Sequence, residues 1–63
     1  MRYTEFWSRL EDVLGVRARS WAQDHVLTAL EGRTVQGALD DGEDPQRVWR
    51  AVHAELELPE RDR

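Results

Sequence analysis

Apolar residues recur at helical spacing in four stretches of this chain. The most regular is Asp44–Leu56, where Val48, Trp49, Val52 and Leu56 form one stripe. Gln46, Arg47, Arg50, Ala54 and Glu57 lie on the other side. Asp44 suits the N-cap, because its carboxylate can accept the unpaired amide protons of a first turn. Pro45 suits the first helical position, where its missing N–H costs nothing. Pro59 closes the segment.

Upstream, Phe6, Trp7, Leu10, Val13 and Leu14 predict an amphipathic helix with Arg9, Glu11 and Asp12 outside. Thr4 is its expected cap and Gly15 its left-handed stop. A second stripe, Ala18, Trp21, Ala22, His25, Val26, Ala29 and Leu30, predicts a helix from near Arg17 to Leu30, with Gly32 just beyond. Ser20 and Gln23 could form a capping box that starts this helix at Trp21. The burial of the longer stripe outweighs a cap of about 1 kcal/mol. Leu27 falls outside the stripe, either as a lone exposed leucine or as part of a second contact. Thr34 then caps a short helix, Val35–Asp41, with Val35, Ala38 and Leu39 inward and Gly42 as its stop. Gly37 weakens that helix by up to about 1 kcal/mol relative to alanine.

No stretch alternates in the manner of a strand. The expected fold is all-α, a compact four-helix bundle with a short third helix. Helices three and four form a helix-turn-helix-like corner. One small domain spans residues 1–63, with a frayed tail at 60–63. The expected core is Phe6, Trp7, Leu10, Leu14, Trp21, Val26, Leu30, Val35, Leu39, Val48, Trp49, Val52 and Leu56.

Composition sharpens this reading. A 63-residue chain buries only about 60% of its unfolded surface. With no cysteine and no zinc-ligand spacing, stability must come from helix packing, the three tryptophans or a partner chain. Thirteen acids face nine arginines and no lysine, a net charge of −4. That balance provides no general field for nucleic acid. Arg17, Arg19, Arg33, Arg47 and Arg50 can still gather locally. No apolar run reaches the ~18 residues of a membrane span, and no signal peptide opens the chain. A cytoplasmic protein is expected, with no membrane association.

Candidate chemistry is sparse. His25 and His53 lack the further donors of a metal site, and read as imidazoles at the edge of apolar stripes. Ser8, Ser20, Thr28 and Thr34 lack the glycine-flanked setting of a nucleophile. The Asp40–Asp44 run lacks the alternating ligands and distal glutamate of a calcium loop. No catalytic residue, cofactor or metal is expected, and the chain does not read as an enzyme. Arg33 follows a glycine turn and can fold back to pair with Asp24, reach helix carbonyls, or stay exposed. Gln46, Arg47 and Arg50 would face DNA if the corner were a true helix-turn-helix. Against that, its first helix is short, Glu43 sits where the turn wants an apolar residue, and Asp40 and Asp41 would approach phosphate.

The function expected from the residues is a non-catalytic module that binds a protein partner through an apolar edge flanked by arginines. Its candidate contact residues are Arg47, Arg50, Gln46, Arg33 and Leu27. The alternative is a small DNA-binding or DNA-repair accessory protein. A leftover apolar face could also pair two copies into a homodimer.

Several blocks together carry a resemblance. Met1-Arg2-Tyr3-Thr4-Glu5-Phe6-Trp7, Asp24-His25-Val26-Leu27, Gly32-Arg33-Thr34, and Pro45 with Val48-Trp49-Arg50-Ala51-Val52 and Pro59 are similar to a short actinobacterial family known only as a domain of unknown function, number 3046. The resemblance covers nearly the whole chain. It implies a bacterial cytoplasmic protein, often encoded near a recombinase and its regulator, and implies no catalytic residues. The chain departs from the family pattern at Glu31 and Gly37, where the pattern has glycine and glutamate, and at His53, where cysteine is frequent.

Overall fold

Residues 1–59 are described by a computed structural model of the chain. The expected tail at 60–63 lies outside them.

Helix α1, Tyr3–Leu14, buries Phe6, Trp7 and Leu10, as its stripe predicts. It starts one residue before the expected Thr4 cap, with Arg2 in extended conformation as the N-cap. The Arg2 amide donates to Glu5 Oε1 at 3.5 Å, a long bond that restrains the first turn. The helix ends at Gly15, whose φ of 61° lets the chain leave the helical path without a Cβ clash. A 3-10 turn over Gly15–Arg17 then leads into α2, Ala18–Asp24. Ala18 and Ala22 of α2 are fully buried, so this helix lies close against the core.

Here the expected fold needs correction. The predicted helix from Arg17 to Leu30 stops at Asp24, and His25 turns extended at φ −91°, ψ 120°. Val26–Leu27 (β1) pairs antiparallel with Arg33–Thr34 (β2), in the register Val26 to Thr34 and Leu27 to Arg33. A 3-10 turn over Thr28–Leu30 and the pair Glu31–Gly32, both at positive φ, close the hairpin. The Gly32 amide donates to the Leu27 carbonyl at 3.1 Å. The chain is therefore mostly helical with a minimal two-stranded sheet, rather than a plain four-helix bundle.

The change of period inverts two side chains. On a helix Val26 would face inward and Leu27 outward. In the strand Leu27 is 1% exposed and Val26 is 56% exposed. Glu31, at φ 57°, occupies the left-handed conformation that glycine adopts without steric cost.

Thr34 caps α3, Val35–Asp40, its Oγ1 accepting from the Gly37 amide at 3.0 Å. Asp44 caps α4, Pro45–Glu55, with Oδ1 accepting from the Gln46 amide at 3.1 Å. Between them the Glu43 amide donates to the Ala38 carbonyl at 3.1 Å, which tightens the turn.

The core centres on Phe6. Its ring stands edge-on to Trp7 at 5.5 Å and to Trp49 at 5.9 Å, a favoured aromatic geometry. Leu10, Leu30, Val35, Leu39, Val48 and Val52 complete it as predicted, and Ala38 and Ala51 join them. Leu14, Trp21 and Leu56 are only partly buried and pack against its edge. The three indoles therefore do not share one interior: Trp7 and Trp49 are inside and Trp21 lies at the rim.

Candidate functional site

Two surfaces concentrate functional groups. The first is the corner where the β1–β2 hairpin meets α3 and α4. Gly32 turns the chain so that Arg33 points back across the turn. Its Nε donates to the Leu30 carbonyl at 2.9 Å. Its two terminal nitrogens meet Glu43 at 2.7 Å, Glu31 at 2.8 Å and Asp41 at 3.1 Å. Arg47, one turn into α4, reaches Glu43 at 2.9 Å and Glu31 at 3.1 Å. Five charged side chains from four segments thus close one network. Arg33 and Glu43 are its least exposed members.

The expected Asp24–Arg33 pair is absent from this network. Arg33 does fold back onto a carbonyl, but its carboxylates come from Glu31, Asp41 and Glu43. Hydrogen bonding to Glu43, then to Asp41, raises the Arg33 pKa further above its ordinary value. Hydrogen bonding from Arg33, with the nearby Arg47 charge, holds the Glu43 carboxyl below the usual range. Glu43 therefore occupies its turn position as an anchored ion.

The structure places the expected partner-binding residues in different settings. Leu27 lies in the core and offers no surface. Arg33 and Arg47 already hold three carboxylates between them, leaving the cluster one negative charge in excess. Arg50 is exposed and Gln46 partly so.

The second surface runs along the exposed face of α2. Leu14, Arg17, Ser20, Trp21, Asp24 and His25 line an open cleft of about 430 Å³. Of these, Trp21 and His25 belong to the stripe expected inside, whereas Arg17, Ser20 and Asp24 lie beside it. The His25 imidazole stacks on the Trp21 indole, with centroids 5.0 Å apart and planes 14° from parallel. Its Nε2 lies 3.0 Å from Glu55 Oε2, so a ring N–H donates to the carboxylate and ties α2 to the end of α4. Among the described residues neither Arg17 nor Asp24 has a charged partner. Val16, beside Arg17, is fully exposed.

Close by, the Arg19 guanidinium sits 3.9 Å above the Trp7 ring and covers it from solvent. The buried Trp7 Nε1 has no hydrogen-bond partner among the described residues, a deficit of about 1–3 kcal/mol. His53 donates from Nε2 to the Pro59 carbonyl at 2.8 Å, and so fastens the end of α4. Among the described residues no group of three or more His, Asp or Glu is placed to hold a metal ion. Nor is any helix long and apolar enough to cross a membrane.

Sequence reasoning did not find this second surface. Its one available signal was the surplus of polar residues, Arg17, Ser20 and Asp24, around Trp21.

No curated protein and no solved structure matches the chain. A family model does, over residues 1–61. The chain belongs to the family described as protein of unknown function DUF3046.

Proposed function

We propose that this chain is a non-catalytic interaction module that binds a protein partner through the α1–α2 face. One observation carries the reading. Trp21 lies half-buried in an open cleft between two opposite charges, Arg17 and Asp24, that have no charged partner among the described residues. Tryptophan and arginine are among the side chains enriched at interface anchors. This contact surface replaces the one expected from the arginines of α4. The chain would act in the cytoplasm of a bacterium, as the family resemblance implies.

Duplex DNA against α4 is the second reading. In this reading α3 and α4 would act as a helix-turn-helix-like corner, with the exposed Arg50 on its second helix. It ranks lower because Arg33 and Arg47 are held by carboxylates, which also oppose phosphate.

A photoreactive phenylalanine in place of Val16, compared with one in place of Arg50, tests the proposal in the native cell. A discrete crosslinked protein from position 16, with none from position 50, is the expected result. No protein adduct at position 16 would overturn it. Salt-sensitive duplex binding that is lost in Arg50→Ala would put the DNA reading in its place.

A further inference from the structure

We infer that the partner of the α2 face is a second copy of this chain, docked antiparallel across a two-fold axis. The inference rests on the proposed interaction surface and names its occupant.

The argument is charge complementarity. Arg17 and Asp24 line the same cleft. Arg17 is the N-cap of α2 and Asp24 its last residue, so the two stand at opposite ends of about two turns, roughly 10 Å apart along the axis. The face thus carries a positive charge at one end and a negative charge at the other, with Ser20 and Trp21 at its middle.

A surface with this arrangement complements itself when turned end for end. Arg17 of one copy then meets Asp24 of the other, twice per dimer, and the axis falls between Ser20 and Trp21. The indoles pack at the axis, with the small serine leaving room for each ring. Val16 lies at the rim and loses water as the copies close. A parallel arrangement would set Arg17 against Arg17 and Asp24 against Asp24, so the charges select the antiparallel one.

Two neighbouring charges among the described residues are already engaged. His25 is engaged by Glu55, and Arg19 lies over Trp7. The corner network lies on other elements and already satisfies its own ions.

The area sets the strength. The chain exposes 4120 Å² in all, and a standard interface takes about 800 Å² from each partner. One face of a two-turn helix supplies less than that. The dimer therefore belongs to the weak, concentration-dependent class.

Sedimentation equilibrium of the purified full chain, up to millimolar concentration, tests this. The mass should rise from 7.4 kDa toward twice that value. Arg17→Asp or Asp24→Arg should each weaken association by about tenfold or more, since like charges then meet at both ends. The double variant, Arg17→Asp with Asp24→Arg, should restore association. Both side chains are exposed, so circular dichroism should show every variant folded. A wild-type chain that stays monomeric throughout, or a double variant as weak as the singles, would overturn the inference.

A photocrosslinker in place of Ser20 separates this failure from failure of the broader reading. Adducts of the chain with itself support the second copy. An adduct with a different protein, from a monomeric chain, rejects the second copy and keeps the interaction module. A monomer with no protein adduct rejects both.

Discussion

The hairpin–α4 corner and the exposed face of α2 treat charge in opposite ways. At the corner, Arg33 and Arg47 meet Glu31, Asp41 and Glu43 from four segments, and each ion answers another within the chain. On α2, Arg17 and Asp24 share a cleft with a half-buried indole, yet neither has a charged partner among the described residues. The corner spends its charges on fixing how β2, α3 and α4 meet. A count of arginines could not separate the two, because the arginines nearest an apparent reading helix are the ones already engaged.

The same contrast holds among the tryptophans, and there it can be broken most forcefully. Trp49→Ala removes a 1%-exposed ring from beside Phe6 and should cost about 3–5 kcal/mol, enough to unfold so small a domain. Trp21→Ala, at the rim, should cost less than half as much. Thermal melts followed by far-ultraviolet circular dichroism check both. A cooperative Trp49→Ala melt near the wild-type midpoint would show that the core does not centre there.

Arginine substitutions come next. Arg33→Gln strips Glu43, Asp41 and Glu31 of their shared partner and loosens the Leu30 turn, so the melting temperature should fall clearly. Arg17→Gln should change stability by no more than about 0.5 kcal/mol, as a surface substitution away from such networks does. Equal effects from the two would erase the distinction between the regions.

Acid provides the finest probe. The folded Glu43 carboxyl titrates below its unfolded counterpart, because Arg33 and then Arg47 favour its ionised form. Its contribution is therefore complete above the unfolded pKa of about 4.3. It is lost as pH falls through the lower, folded value. The melting temperature should hold from neutral pH to about 5 and decline below that. Glu43→Gln should start lower at neutral pH and flatten the acid decline. An unchanged acid slope in that variant would mean that Glu43 is not held by the corner.

Much of the molecule is legible without its fold. The caps at Thr34 and Asp44, the Pro45 start and the turns at Gly15 and Gly42 depend on backbone chemistry within a few residues. The stripes of α1 and α4 are long enough for their period to be unambiguous. The segment after Asp24 is different. Four residues of Val26, Leu27, Thr28 and Ala29 fit a helix or a strand almost equally. Their state depends on pairing with Arg33–Thr34, across the turn. The exchange of Val26 for Leu27 in the core follows from that pairing.

The candidate sites divide along the same line. Sequence could say that Arg33, after a glycine turn, would fold back, since that is a local matter. It could not name Asp41 and Glu43 as the carboxylates that meet it, because their positions depend on how α3 turns into α4. It placed Trp7, Trp21 and Trp49 alike in the expected core. Which one stayed at the surface, and that Arg17 and Asp24 flank it unpaired, was decided by where α2 stops. Spacing along the chain fixes what neighbouring residues do, whereas the pairing of distant charges and the burial of a short apolar run are settled only when separate segments meet.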